Sequence, residues 1–569
     1  MRPDRVLAFD RLAGGAILLA AIVAALGLED SYLLRLLAVA GCYAILAIGY
    51  QRIFGELGVL SLAQGAFFAI GGYATAILTQ RFGLDGLTLL PLAMALATSV
   101  AVLVAPPMLK LASHYFALAS LAVAQLVLLA AINLESLTGG ANGLGGIAPL
   151  RLAGWTVEPG QSLTLAIWIV VALSAAGFWL PGPLALLRRH ILREAPLVAE
   201  ASGLNAARWR IAAFAFSAAC AGLAGGLYGQ ATGVVAPDIA ELGIMINVLA
   251  MSVIGGRGRV SGALLGALLL AFLPEALRFL GGWQLFAWGA AMLLVLLLAP
   301  GGIAGLLETL SPPPSPPAVE EIAAAPAQGG GNLQATGLAK SFGGVAAVAG
   351  ISLAVGAREI VAVIGPNGAG KTTLLNLLGG VQTPDAGAII WRGADIARLP
   401  AHRRAALGIG RSFQTDQLPG DLTVLDAIAA AVDEPRDLRA ARAHALGVAR
   451  RLGLDAAVQQ PIASLPPALR RLCDIARAMA APRALLLLLD EPTSGLATDE
   501  RAALARVLRG LRDQGTSLLL VEHDIGFVLD LADRIVCLDQ GRIAAEGAPH
   551  ELLARPELGR FFGRRGRAA

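Results

Sequence analysis

Gly365-Pro366-Asn367-Gly368-Ala369-Gly370-Lys371-Thr372-Thr373 fits the phosphate-loop pattern G-x-x-x-x-G-K-[ST]. It follows a short apolar run, Ile360 to Ile364, that reads as a buried strand. It precedes Leu374-Leu375-Asn376-Leu377-Leu378, which reads as the start of a helix. A chance glycine-rich turn would not need these flanks, whereas a phosphate-binding loop does. The glycines let successive backbone N–H groups curl around phosphate oxygens, and the helix N-terminus adds a favourable dipole. Lys371 is placed to reach the β- and γ-phosphates and the Thr372 hydroxyl to hold Mg²⁺. ATP with Mg²⁺ is therefore the expected ligand of residues 365–373.

The rest of the 569-residue chain is unlike a soluble ATPase. It is 56% hydrophobic and 15% charged, with a mean hydropathy of +0.69, far from globular averages. Residues 1–310 are rich in Ala, Leu, Gly and Val, whereas residues 332–569 carry charges throughout. Between them lies Ser311-Pro312-Pro313-Pro314-Ser315-Pro316-Pro317 and an Ala/Pro/Gly stretch to Gly331, which has the composition of a semi-rigid linker. The expected fold is a polytopic α-helical membrane domain (1–310), a linker (311–331), and an α/β P-loop ATPase domain (332–569). A net charge of +4 is too small for a nucleic-acid footprint. Cys42, Cys220, Cys473 and Cys537 form no CxxC pair and read as reduced, buried side chains.

A bilayer span needs about 20 mostly apolar residues. Candidates are 12–28, 32–50, 57–79, 87–105, 115–132, 162–180, 211–229, 240–255, 260–279 and 283–299, about ten in all. The third and eighth are weak. Gly55, Gly58, Gly65, Gly71 and Gly72 punctuate the third, which fits either a broken segment or close helix packing. If the chain starts inside, the inside loops receive Arg2, Arg5, Arg11, Arg52, Lys110, Arg188, Arg189, Arg193, Arg208, Arg210, Arg257 and Arg259. The outside receives only Arg35, Arg81, Arg151 and Arg278. This positive-inside excess places both termini in the cytoplasm, where ATP is held. The loop 181–210 reads either as a short amphipathic docking element for the ATPase or as a solvated juxtamembrane loop.

Gly58-Val59-Leu60-Ser61-Leu62-Ala63-Gln64-Gly65-Ala66-Phe67-Phe68-Ala69-Ile70-Gly71-Gly72-Tyr73 resembles a signature stretch of the permeases of branched-chain amino-acid ABC importers. So do Tyr115-Phe116-Ala117-Leu118, Ser136 through Leu144, and Glu200-Ala201-Ser202-Gly203-Leu204-Asn205, in the family's order. The resemblance implies an importer with a second permease subunit, a second ATPase and an extracytoplasmic substrate-binding protein, seated in the lipid bilayer of a bacterial inner membrane. The family's acidic Arg-Glu-Asp-Glu loop pattern reads Arg193-Glu194-Ala195-Pro196 here, so docking is expected to differ there.

The ATPase half resembles the matching subunit. By that resemblance Phe342 stacks on adenine, although a core Phe is the alternative reading. Arg411-Ser412-Phe413-Gln414 is similar to a Q-loop, with Gln414 touching Mg²⁺ and water. Ala484 to Leu489 is an apolar strand ending in Asp490-Glu491. Beside a P-loop this is a Walker B element, with Asp490 on Mg²⁺ and Glu491 polarising the attacking water. Leu518-Leu519-Leu520-Val521 leads to His523, which matches a γ-phosphate-sensing histidine.

Two positions depart from the pattern. Where the family has Leu-Ser-Gly-Gly-Gln, this chain has Leu465-Pro466-Pro467-Ala468-Leu469, and the loop aspartate or asparagine after Leu496 is Ala497. A partner ATPase with an intact signature is therefore expected. The substrate expected from the resemblance is a small hydrophobic amino acid, with urea or short amides as the alternative. An exporter half-transporter would show about six spans with long cytoplasmic helices, and an anchored ATPase regulator would need far fewer spans than ten.

Overall fold

A computed structural model describes residues 3–111, 113–152, 154–299, 301–309, 331–413, 417–432, 437–480 and 484–562. The linker 311–331 lies outside them, save for Gly331. The chain forms two compact units. One is built from residues within 3–189 and 207–315; the other joins residues 190–206 to the C-terminal part of the chain.

In the first unit all ten expected segments are helical: Pro3–Gly27, Ser31–Tyr50, Gln64–Phe82, Gly86–Met108, Ser113–Asn133, Gln161–Trp179, Ala206–Thr232, Leu242–Gly255, Val260–Ala276 and Gln284–Leu298. Among the described residues, 6 helices are long and apolar enough to cross a membrane, and three further apolar helices are shorter. The expected span 57–79 is broken. Helix 31–50 runs into a wide turn at Gln51–Glu56, the chain unwinds at 57–63, and the next helix starts at Gln64. Gly58 takes φ +70° at the break, and the Ser120 hydroxyl accepts the Leu62 N–H at 2.8 Å. The later glycines serve close packing: a Cβ on Gly71 would lie 1.9 Å from the Gly222 carbonyl oxygen, and one on Gly225 1.8 Å from that of Phe68. Both readings of the glycines therefore hold, at different positions.

The buried charges described in this unit meet partners. Glu56 receives Arg52 at 2.7 Å and Arg189 at 2.6 Å, and the Arg52 guanidinium sits 4.0 Å over the Phe178 ring. Buried Asp10 caps the helix Val260–Ala276 by accepting from Val260 N (3.1 Å), Ser261 N (2.8 Å) and the Ser261 hydroxyl (2.6 Å). It also accepts the Trp179 indole N–H at 2.7 Å. A carboxylate at a helix N-terminus satisfies donors that the helix cannot.

The second unit has a six-stranded sheet in the order Ile409–Arg411, Leu486–Asp490, Ser517–Val521, Ile360–Ile364, Arg534–Asp539, Arg542–Gly547. Its strands are parallel except for the last. A four-stranded antiparallel sheet, containing Leu333–Phe342, Val345–Val355, Ala386–Trp391 and Ala394–Asp395, stands beside it. The three central strands are buried at every residue, which is why they read as unbroken apolar runs. Asp490 pairs with Val521, and Val521 with Val363. The register therefore brings Gly365, Glu491 and His523 to the same carboxyl edge, where ligands bind open α/β sheets.

Candidate functional site

The loop 365–370 leaves the strand Ile360–Ile364 and enters the helix Lys371–Gly379. Two of its glycines are dictated by space. A Cβ on Gly365 would lie 2.2 Å from the Leu538 carbonyl oxygen, and one on Gly370, at φ +98°, 2.2 Å from that of Ala347. Pro366, Asn367 and Gly368 are exposed, as is Thr372 at the head of the helix. The Lys371 ammonium is held by the carbonyls of Gly365 (2.8 Å) and Pro366 (2.9 Å). Burial lowers its pKa, and the charges of Glu491 and Asp490 oppose that shift.

Asp490 ends its strand buried, and its Oδ1 has no hydrogen-bond partner among the described residues. Burial raises its pKa, with Arg411 pulling the other way. A buried acid with an unpartnered oxygen costs free energy unless a cation or donor joins it. The site therefore fits a divalent ion held by Asp490 with the Thr372 hydroxyl, hard oxygen ligands of the kind Mg²⁺ takes. Glu491 has φ +45°, the left-handed region that non-glycine residues enter at a cost. Its N–H donates to the Val521 carbonyl at 2.9 Å, and its carboxylate lies 2.8 Å from His523 Nε2. Glu522, buried, accepts the Thr493 N–H and hydroxyl at 2.7 Å each and so fixes the turn after Glu491. Phe342 is half-exposed at the tip of the hairpin with Val345–Val355, whose Ala347 abuts Gly370. The Lys340 ammonium lies 5.7 Å from its ring. This rules out a core role for Phe342. Gln414 lies outside the described residues.

Sequence reasoning missed a set of charged side chains behind these residues. Arg471 donates to the Phe413 carbonyl at 2.6 Å and to the Glu491 carbonyl at 3.1 Å. The Phe413 N–H donates to Asp474 at 3.0 Å. Arg477, fully buried, donates to Asp474 at 2.9 Å, to the Ser202 hydroxyl at 2.9 Å and to the Arg411 carbonyl. A continuous chain of hydrogen bonds thus runs from Ser202 through Arg477, Asp474, Phe413 and Arg471 to the backbone of Glu491. The spacing of Arg471, Asp474 and Arg477, three residues apart on one helix face, was the available signal.

Segment 190–206 packs within this same unit. His190 Nε2 lies 3.0 Å from Asp421, and Asn205 3.1 Å from His402 Nε2. The hydrogen bond from His190 depresses the Asp421 pKa to about 2. Within this unit the contacts come from His190, Ser202 and Asn205, on either side of Arg193–Pro196. At the departed signature, Pro467 opens the helix Pro467–Ala480, and Arg470 N donates to the Pro466 carbonyl at 3.1 Å. Only Ala468 and Leu469 carry N–H groups in the turn before that bond.

A nucleotide-binding cassette ATPase joined to a polytopic helical permease is what this fold and site define. Residues 32–300 match the family described as the branched-chain amino acid transport system permease component, and residues 348–494 the ABC transporter family. A probable ABC transporter ATP-binding protein of Azorhizobium caulinodans is 35% identical over 238 residues, 42% of this chain and 84% of its own. The high-affinity branched-chain amino acid transport ATP-binding protein LivG of Salmonella typhimurium is 34% identical over 247 residues, 40% of this chain and 96% of its own. BraF of Pseudomonas aeruginosa, with the same description, is 32% identical over 243 residues, 40% of this chain and 95% of its own. This chain belongs to the branched-chain amino-acid ABC transporter family, with permease and ATP-binding components in one polypeptide. It is a multi-pass membrane protein that binds ATP and couples its hydrolysis to transport.

Proposed function

We propose that the protein is the permease–ATPase fusion subunit of an importer that carries small hydrophobic, branched-chain amino acids across a bacterial inner membrane. It is fed by an extracytoplasmic binding protein, and both its termini are cytoplasmic. Residues 1–310, 311–331 and 332–569 serve as permease, linker and ATPase. Residues 365–373 hold the ATP phosphates, and Phe342 stacks on adenine. Thr372, Asp490 and Gln414 hold Mg²⁺, which supplies positive charge against the β- and γ-phosphates. Glu491 orients and polarises the attacking water, and His523, 2.8 Å away, holds its carboxylate and contacts the γ-phosphate.

The observation that supports coupling best is the hydrogen-bond chain from Ser202 to Glu491. A shift of segment 190–206 reaches the carbonyl of the catalytic residue through four side chains and the backbone of Phe413. The partners are a second permease and a second ATPase with an intact signature. Pro466 and Pro467 have no N–H to donate and no hydroxyl, so this chain's own signature cannot bind a γ-phosphate as the family's serine and glycines would. The productive site pairs residues 365–373, Asp490, Glu491 and His523 of this chain with the partner's signature.

The test is uptake into vesicles containing the assembled complex, with candidate binding proteins supplied. ATP-dependent accumulation of leucine, isoleucine or valine supports the reading. Accumulation of urea or acetamide instead moves the substrate to the amide class, and export from the vesicles refutes an importer.

A further inference from the structure

Between the helices Ala206–Thr232 and Leu242–Gly255 the chain does not simply turn around. Val234–Val235 pairs with Leu144–Gly145, and a short turn follows at Pro237–Ala240. The segment then runs back along two spans. Val235 packs on Gly229 and Gly72, Ile239 on Gly72, and the carbonyls of Ala240 and Glu241 lie beside Gly65. Seven residues of helix separate Gly72 from Gly65, about 10 Å along its axis. The following helix has 14 residues, about 21 Å, which is short of a bilayer core of about 30 Å. Residues 235–241 therefore re-enter the membrane in irregular conformation, which is tolerated only inside protein or along a watered path.

In that re-entrant turn Pro237, Ile239 and Ala240 are buried while the Asp238 side chain is exposed. Among the described residues it forms no ion pair. The turn packs against the helix Gln64–Phe82, which carries Phe68 and Tyr73. Among the described residues the buried Tyr73 hydroxyl has no hydrogen-bond partner, its residue 6% exposed. The rings of Tyr43, Phe68 and Tyr228 pack at centroid distances of 6.5, 6.1 and 5.3 Å. An intramembrane carboxylate is expensive unless a cation meets it, broken segments are where transporters build their sites, and aromatic faces suit both a cation and an aliphatic side chain.

We propose that Asp238 receives the α-ammonium group of the transported amino acid, against the rings of Tyr43 and Tyr228, which pack on buried Phe68, with the Tyr73 hydroxyl beside it. The proposal rests on the amino-acid reading above: urea and amides carry no cation and would leave Asp238 unpaired.

The experiment is leucine uptake and basal ATPase activity in vesicles carrying the complete complex, unaltered or with Asp238→Asn or Asp238→Glu, with urea and acetamide as neutral probes. Asp238→Asn is expected to slow leucine uptake by at least about tenfold, the loss of one charge-assisted contact. Basal ATPase should be unchanged, and Asp238→Glu should recover much of the uptake. If the unaltered complex carries leucine and Asp238→Asn carries it as well, the site is wrong while the function stands. If Asp238→Asn loses the second permease on purification, or ATPase and uptake collapse together in both variants, Asp238 serves assembly and the proposal fails. If the unaltered complex carries urea or acetamide but not leucine, the amino-acid reading fails first, and the ammonium assignment with it.

Discussion

Glu491→Gln tests the assignment of the catalytic base most directly, because it changes chemistry and almost nothing else. The backbone conformation is held by the Val521 carbonyl and by Arg471, through the N–H and the carbonyl of Glu491. Glutamine keeps the Cβ and so the same strain at φ +45°. Its amide can still meet His523, now 2.8 Å from a carboxylate oxygen, so no buried group is orphaned. What is lost is the negative charge that orients and polarises water. Removing a general base commonly costs about 10²–10⁴ in rate, a barrier increase of about 3–5 kcal/mol. The assay is single-turnover phosphate release by the assembled complex, read beside equilibrium binding of a fluorescent ATP analogue. Binding is expected to persist while release falls into that range. Turnover close to that of the unaltered complex, with nucleotide still bound, would falsify the role of Glu491 and direct attention to His523 or to the partner ATPase.

Four further outcomes are expected. Lys371→Ala removes the cation aimed at the phosphates, so equilibrium binding should weaken by at least about tenfold; unaltered affinity in the same titration contradicts the loop assignment. Restoring Ser, Gly and Gly at Pro466, Pro467 and Ala468 should leave the ATPase activity of this chain alone nearly unchanged, since its productive site uses the partner's signature. A many-fold rise would show that a homodimer is the working unit. Asp10→Ala strips the cap from helix 260–276 and should destabilise the detergent-solubilised protein by about 1–2 kcal/mol, with Asp10→Asn milder, read as lower thermal midpoints; equal midpoints would show the cap to be unimportant. Single cysteines at Ala141 and Glu194 should label from opposite faces of the membrane, against a low background because the four native cysteines are buried; labelling from one face refutes the inside–outside assignment.

What could be read from the sequence divides by how far apart in the chain the interacting groups lie. Residues 365–373 are legible because one contiguous loop must satisfy a phosphate, and Asp490-Glu491 because an apolar strand cannot end in two acids without a use for them. The ten helices are legible because apolar length is a local property. The break at 57–63 is only half legible: Gly58 opens a turn, whereas Gly71 admits the backbone of Gly222, and nothing local distinguishes a glycine needed for φ from one needed for space. Arg471 and Arg477 are not legible because a charged helix face ordinarily meets solvent, whereas theirs is buried against carbonyls of Phe413, Glu491 and Arg411.

Charges on or between apolar spans follow a stricter logic, and they separate structural residues from working ones. Burial of an ion is tolerated when partners within the fold meet it. Asp10 meets a helix N-terminus, and Glu56 meets two guanidiniums at 2.7 and 2.6 Å. These charges are used up in holding helices together, so neutralising them should lower stability before it alters transport. Asp238 differs: its side chain is exposed, it forms no ion pair among the described residues, and it lies on the turn Pro237–Ala240 that folds back along the helix Gln64–Phe82. A carboxylate kept in such a place without a resident cation is explained most simply by a cation that comes and goes, and in a transporter that role falls to the cargo.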